Sequence, residues 1–210
     1  MAALGTGGGS PYDARPRRRG QDGGGRRARN DRGRPGFSGC VIPIGSTMMA
    51  GKDLRTLFLH QLKDTYFAEN AILKALPKMA EAAQTDALRG AFGVHLQETR
   101  EQVKRLDQVF RSLGEKPEGV TCKAIQGIIA EGEEVMQEFG GSGALDAGLI
   151  AAAQAVEHYE ITRYGTLIAW ARQLGLAEAE SLLKETLVEE ENTDEVLSEL
   201  AEEAVNPAAA

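Results

Sequence analysis

Apolar residues recur three and four positions apart along most of the chain from residue 52 onward, the spacing that puts side chains on one face of a helix. Alternating β-branched runs, which are typical of strands, do not interrupt this pattern, and Ala, Leu and Glu dominate it. The periodicity predicts four long helices and one shorter helix, over residues 52–84, 85–113, 122–139, 146–173 and 177–204. Pro77 predicts a kink or an early end in the first of them. We therefore predict an all-α protein.

The lengths of the connections between these helices predict how they are arranged. Thr85 is a good N-cap residue, and Gly114 and Gly175 each follow the last turn of a helix. The first two long helices are joined by a few residues, as are the last two, so each pair should form an antiparallel hairpin. About 30 residues separate the hairpins, enough to cross the length of a bundle with a short helix of their own. Two antiparallel hairpins joined by a long crossover that carries an extra short helix form a ferritin-like four-helix bundle.

Acidic residues interrupt the apolar rows of all four long helices. The row of the last helix contains Glu190 and Asp194, and the rows of the other three contain Glu69, Glu98 and Glu157. A buried carboxylate without a partner costs several kcal/mol. Acids in the middle of four core rows therefore need a shared partner, and the simplest shared partner is a metal ion.

Further side chains of suitable chemistry lie one helical turn from these acids. Glu160 follows Glu157 by three residues, and His95 and Glu101 flank Glu98 at the same spacing. Ferritin-like di-iron sites combine one Glu from each of two helices with Glu-x-x-His from the other two. Here Glu101 and Thr193 occupy the positions where that pattern has histidine, so the predicted site is more anionic.

A site so rich in carboxylates suits iron or manganese better than copper. Hydrogen-bonding side chains about one turn from the acids would orient the ligands, and the candidates for this role are Tyr66, Gln154 and Tyr164.

The first 48 residues differ in composition from the rest of the chain. They hold 12 of the 25 glycines, nine arginines and three acids, a net charge of +6 that leaves −13 on the remainder. We expect a disordered tail over residues 1–48, followed by a helical domain over residues 49–206. The arginines could contact the phosphates of a nucleic acid. Alternatively, the tail is a solvated linker or lies upstream of a start at Met48 or Met49. The acidic helical domain itself should not bind nucleic acid.

Cysteine content and hydropathy indicate the compartment. Cys40 and Cys122 lie far apart and form no disulfide framework, which fits a reducing environment. No run of 18 apolar residues predicts a membrane span, and no apolar segment follows the arginines as in a secretory signal. We expect a cytoplasmic protein that does not associate with membranes.

Residues from about 53 to 204 resemble the YciE/YciF family of ferritin-like stress proteins. The segments that carry the resemblance are Asp64-Thr-Tyr-Phe-Ala-Glu69, Ala75-Leu-Pro-Lys-Met-Ala80, His95-Leu-Gln-Glu-Thr99, Gln154-Ala-Val-Glu-His-Tyr-Glu160 with Tyr164-Gly165, and Thr186-Leu-Val-Glu-Glu190 with Thr193-Asp194. The resemblance implies a ferritin-like bundle, a homodimer, and a di-metal site related to those of rubrerythrins and ferritins. The positions where ligands of such a site would fall are Glu69, Glu98, Glu157, Glu160, Glu190 and Asp194.

Two functions of different classes are consistent with these observations. The first is a stress-response protein with two iron or manganese ions, which oxidises Fe²⁺ or reacts with O₂ or peroxide. The second is a non-catalytic helical stress or scaffold protein with a structural metal site or none. Bound redox metal with turnover of oxygen or peroxide would separate them.

Overall fold

The computed structural model describes residues 52–210, so the predictions for the tail at residues 1–48 lie outside the described residues. In residues 52–210 the chain forms helices and no strand. The helices are α1 (Leu54–Ala82), α2 (Asp86–Ser112), α3 (Lys123–Glu138), α4 (Leu145–Gln173) and α5 (Ala177–Leu200), followed by a π-helical turn (Ala201–Val205) and the short α6 (Asn206–Ala209). The prediction of an all-α protein is confirmed.

The ends of the helices follow local sequence signals. Asp53 is the N-cap of α1, and its carboxylate accepts a hydrogen bond of 2.8 Å from the backbone N–H of Thr56. Gly114 and Gly175 lie just beyond α2 and α4 with φ of 72° and 71°, a left-handed conformation that glycine adopts without steric cost. The residue after each glycine donates its N–H at 2.9 Å to the carbonyl five residues earlier, which closes the last helical turn.

The first helix continues through Pro77 to Ala82, close to the predicted end at residue 84, so the alternative of an early end at Pro77 is excluded. Pro77 is exposed, so the carbonyl that loses its helical donor can be hydrated. The last helix passes into a π-helical turn at Ala201–Val205, which the periodicity did not predict. Val205 in this turn is buried against the core, so tertiary packing determines the local geometry.

The helices pack as two hairpins. Helix α1 packs against α2 and α4 against α5, while contacts of α1 with α4 and of α2 with α5 close the bundle. Helix α3, in the crossover, packs on α4 and α1. The approach of α3 to α4 is close at Gly148, where a Cβ atom would lie 2.6 Å from the Val135 side chain. The prediction of a ferritin-like bundle with an extra crossover helix is therefore confirmed. None of the helices in residues 52–210 is long and apolar enough to cross a membrane.

A polar layer lies between two apolar clusters in the core. One cluster gathers around Ile72, Phe92 and Leu149, and the other around Phe58, Phe110 and Leu167. The buried polar side chains from the middle of the four long helices are Gln61, Thr65, Glu69, His95, Thr99, Gln102, Glu157, Glu160, Thr186 and Glu190. Apolar packing on both sides therefore holds these side chains away from water.

Asp146 links the α1–α2 connection to the start of α4. Its side chain is 3% exposed, and its two carboxylate oxygens accept hydrogen bonds from the backbone N–H groups of Gln84 and Thr85, at 2.8 and 2.9 Å. A buried acid with both oxygens paired in this way has a structural role.

Replacing Asp146 with Ala should lower the free energy of unfolding by about 1–2 kcal/mol, because two charge-assisted hydrogen bonds are lost. Urea denaturation at neutral pH would measure this change. The control is Asp86→Ala, since the Asp86 side chain is 98% exposed and makes no contact across the bundle. Equal midpoints for the two variants would contradict a structural role for Asp146.

Candidate metal centre

The polar layer contains a compact group of acids and one histidine. Glu69 comes from α1, His95 from α2, Glu157 and Glu160 from α4, and Glu190 from α5, and each is 2% exposed or less. We call these five residues the central cluster. His95, Glu157, Glu160 and Glu190 each offer one ligand atom, and these atoms all lie within 4.8 Å of one another. Such a group can hold a metal ion.

Helix geometry explains why four separate helices place these side chains together. Glu157 and Glu160 are three residues apart and so lie on the same face of α4. Glu69 continues the buried row of α1 between Thr65 and Ile72, and Glu190 continues that of α5 after Thr186 and Leu187. Because the helices pack side by side, their buried rows meet at the same height of the bundle.

Seven of the eight carboxylate oxygens of the central cluster lack hydrogen-bond donors. Both oxygens of Glu157, Glu160 and Glu190, and Oε2 of Glu69, have no partner among the described residues. Glu69 and Glu160 face each other at hydrogen-bonding range, as do Glu157 and Glu190, but two ionised carboxylates have no proton to donate. Asp146 is also buried, but both of its carboxylate oxygens accept hydrogen bonds from backbone N–H groups. The central cluster thus needs shared protons or cations.

His95 lies between two of these acids. Its Nδ1 is 3.2 Å from Oε1 of Glu157 and its Nε2 is 3.8 Å from Oε2 of Glu190, but neither contact has the geometry of a hydrogen bond. Burial lowers the pKa of His95 to about 4, so the imidazole is neutral at physiological pH. A neutral imidazole cannot compensate the acids, but it can serve as a metal ligand.

The nearest charged and polar side chains pair with other groups or support one acid. The hydroxyl of Tyr164, which is fully buried, donates to Oε1 of Glu69 and fixes that carboxylate. Arg105 forms two hydrogen bonds to Glu189, at 2.8 and 2.9 Å, and a third to the hydroxyl of Thr186 at 2.7 Å. The guanidinium is therefore engaged at the edge of the bundle and does not neutralise the central cluster.

Burial raises the pKa values of these carboxyls. It raises the pKa of Glu69 to about 7, against the hydrogen bond from Tyr164, and the pKa of Glu157 to about 8. The pKa values of Glu160 and Glu190 are raised well above the usual value, by burial first and then by repulsion from the neighbouring acids. Perturbed acids gathered in one place are typical of functional sites.

The structure brings together four of the six predicted ligands, namely Glu69, Glu157, Glu160 and Glu190. Glu98 and Asp194 lie outside the central cluster. Glu98 precedes the buried Thr99, which turns it about 100° from the core-facing row, and its side chain is half-buried. Asp194 is held at the α4–α5 seam, where it contacts His158 at 3.1 Å and accepts a hydrogen bond of 3.2 Å from Gln154.

Of the residues predicted as additional ligands or as hydrogen-bonding partners, some lie at the central cluster and others do not. His95 lies in the central cluster, and Tyr164 bonds directly to one of its acids. Glu101 is exposed and pairs with Lys104 at 2.6 Å, so it takes no part. Tyr66 packs edge-on against Phe110, and Gln154 donates to the Asp194 seam, so neither reaches the cluster acids.

The apolar rows predict Glu98 in the core row of α2, whereas the structure has His95 there. The buried residues of α2 are Leu88, Phe92, His95, Thr99, Gln102, Leu106, Val109 and Phe110, an unbroken spacing of three and four up to Val109. A row drawn through Glu98 requires a step of six residues after Phe92. The signal for His95 is therefore present in the sequence, and following the strict spacing would have selected it in place of Glu98.

The family described as a domain of unknown function, DUF892, matches residues 53–210. The protein belongs to the DUF892 family. The chain is 47% identical over 156 residues to protein YciF of Escherichia coli strain K12, an alignment that covers 74% of this chain and 94% of YciF. The resemblance predicted from the sequence segments is therefore confirmed.

Solved structures of relatives have the same fold. The crystal structure of the E. coli stress protein YciF aligns with a TM-score of 0.71 over 74% of this chain and 98% of that chain. YcfI from Rhodopseudomonas palustris is 49% identical and aligns with a TM-score of 0.68 over 70% of this chain and 93% of its own. The helical bundle of this DUF892 protein is thus shared with stress protein YciF.

The free energy of unfolding of the protein in chelator should fall as pH rises from about 5 to about 8. An unfolded Glu has a pKa of about 4.3, whereas the folded values of Glu69 and Glu157 are about 7 and about 8. Folding therefore takes up protons between these pKa values. The stabilisation that results is lost progressively as the pH rises to the pKa of the folded state. We expect a loss of at least about 2 kcal/mol, measured by urea denaturation.

Glu157→Gln should remove part of this pH dependence and stabilise the chelated protein at pH 8, because an amide carries no charge into the core. Glu101→Gln is the control and should leave the dependence unchanged, since Glu101 is exposed. A flat or rising stability between pH 5 and pH 8 would show that the buried carboxyls keep ordinary pKa values.

Proposed function

We propose that the central cluster binds a pair of iron or manganese ions, and that the protein uses them to oxidise Fe²⁺ or to react with O₂ or peroxide. The observation that carries this proposal is the set of buried carboxylates without donors. Buried acids in a folded protein are normally hydrogen-bonded or paired, because desolvation without compensation costs several kcal/mol. A pair of metal ions held by these carboxylates would provide that compensation.

The charge of the central cluster supports two ions rather than one. Four of its members are carboxylates, each fully buried, and His95 is neutral. When all four are ionised they carry a charge of −4, which two divalent cations neutralise. A single divalent cation would leave two uncompensated charges in the core.

The donor set supports the choice of metal. Carboxylate oxygens with one imidazole suit iron and manganese, whereas copper and zinc sites more often contain several histidine or cysteine ligands. The only described cysteine, Cys122, contacts Tyr159 at 3.0 Å, and neither is a member of the central cluster. Iron and manganese, once bound, would supply the one-electron chemistry that reactions of O₂ and peroxide require.

The surrounding residues are suited to support such ions. The hydroxyl of Tyr164 fixes one oxygen of Glu69 and leaves the other free to bind a metal. The apolar clusters on both sides exclude bulk water, which strengthens electrostatic interactions at the site. Arg105 keeps the outer acid Glu189 engaged, so that this carboxylate does not compete with the inner ones.

A non-catalytic helical stress protein is the second candidate. The raised pKa values favour it, because protons shared within the facing carboxyl pairs could stabilise the core without any metal. The relative YcfI is described as a candidate structural protein, which points the same way. The homodimer implied by the family resemblance stays a prediction under either function.

Protein purified without chelator, or loaded anaerobically with Fe²⁺ or Mn²⁺, should contain about two ions per chain by elemental analysis. The double variant Glu157→Gln/Glu190→Gln should lose most of this metal, because two carboxylates that face each other become amides. The matched control is Glu101→Gln/Glu191→Gln, which removes two exposed acids from the long helices α2 and α5 and should retain full occupancy.

Absence of metal from the wild-type protein after anaerobic loading would contradict the di-metal proposal and favour the second candidate. Metal-loaded wild-type protein and the double variant could also consume Fe²⁺ (with O₂) and peroxide at equal rates. That result would show that the bound metal has a structural role only. Turnover that depends on Glu157 and Glu190 would support the oxidative function.

A further inference from the structure

The buried position of the central cluster raises the question of how a cation reaches it. The cluster residues are 2% exposed or less, so an ion has to pass between helices. His95 borders two cavities on different sides of the bundle, one between α1, α3 and α4 and one between α2 and α5. Both of its ring nitrogens lack hydrogen-bond partners among the described residues. The two cavities are therefore the two candidate routes for an ion to the imidazole of His95.

The cavity between α1, α3 and α4 is poorly suited to a cation. Its volume is about 20 Å³, and its lining is predominantly apolar, with Ile72, Ile129 and Val156 among the walls. Space of this size holds about one water molecule. The carboxylate of Glu133 on its wall is already paired with Lys78 at 2.8 Å. A divalent ion would therefore have to shed nearly all of its hydration shell before it reached Glu157, which is costly.

The cleft between α2 and α5 is much wider, although most of its lining is also apolar. Its volume is about 220 Å³, and its walls include Glu98, Asn192 and Thr193, with His95 at the inner side. The half-buried carboxylate of Glu98 lies 3.5 Å from the hydroxyl of Thr193. These side chains offer oxygen atoms to a partly hydrated ion between the surface and the imidazole. The cleft is wide enough for an ion to keep several of its waters.

Glu98 lies one helical turn from His95 on α2 and is the acid in the lining of this cleft. A role in the cleft would explain why an acid is half-buried at this position although it lies outside the central cluster. A carboxylate on the wall of a cleft raises the local concentration of cations.

We propose that the α2–α5 cleft is the route by which divalent cations reach the central cluster, with Glu98 as a transient ligand. The inference rests on the proposed metal-binding function and adds a specific path to it. The carboxylate of Glu98 would hold a partly hydrated ion on the wall of the cleft by replacing one or more of its waters, and His95 and Glu190 would then replace that carboxylate at the inner side. No electron is transferred in this exchange.

The test is the rate at which metal-free full-length protein takes up Co²⁺, followed by stopped-flow visible absorption. Glu98→Gln should slow uptake roughly tenfold, and Glu98→Lys should slow it further, while both variants reach the wild-type stoichiometry. The control Glu101→Gln lies one turn away on the same helix, is exposed, and should keep the wild-type rate. Lys78→Gln, at the mouth of the other cavity, should also leave the rate unchanged.

Each other outcome overturns the proposal in a distinguishable way. Equal rates for Glu98→Gln and Glu101→Gln would exclude the cleft as the route. Loss of bound Co²⁺ at equilibrium in Glu98→Gln would make Glu98 a resident ligand instead. Faster uptake by Lys78→Gln would assign the route to the α1–α3–α4 side. Wild-type protein that binds no Co²⁺ would overturn the metal-binding function and, with it, this route.

Discussion

Four carboxylates meet in the middle of a helical core without a cation or donor among the described residues to compensate them, apart from the Tyr164 hydroxyl on one oxygen of Glu69. The rest of the architecture depends on this arrangement. The two apolar clusters lie on either side of it, so that they supply the free energy that holds the acids in place. The bundle thus has a destabilising polar layer at its centre, between two stabilising apolar ends.

The acids at the edge of the bundle behave differently from those at its centre. Glu189 is paired with Arg105, Asp194 contacts His158, and Asp146 accepts two backbone N–H groups. These charged groups outside the central cluster thus find partners within the fold. The central acids remain available, and a neutral histidine lies among them. This contrast between paired and unpaired acids is what makes the central cluster a candidate metal centre.

Much of the fold could be predicted because helices are encoded locally. Apolar spacing, N-cap residues and glycines after the last turn placed the boundaries of the five main helices within a few residues, and connection lengths placed the hairpins. The π-helical turn at Ala201–Val205 could not be predicted, since it depends on the packing of Val205 against the core. The grouping of the acids could be predicted in part. Glu69, Glu157, Glu160 and Glu190 meet, but Glu98 and Asp194 do not.

The sequence by itself determined which helices form, how they connect and that acids fall in their core-facing rows, because these properties repeat every three or four residues. Only the tertiary structure decided which acids meet. A rotation of one residue, about 100°, separates the buried His95 and Thr99 row from the half-buried Glu98. Contacts from α4 likewise keep Asp194 at the seam. Such rotations are set by packing between helices, which local periodicity does not encode.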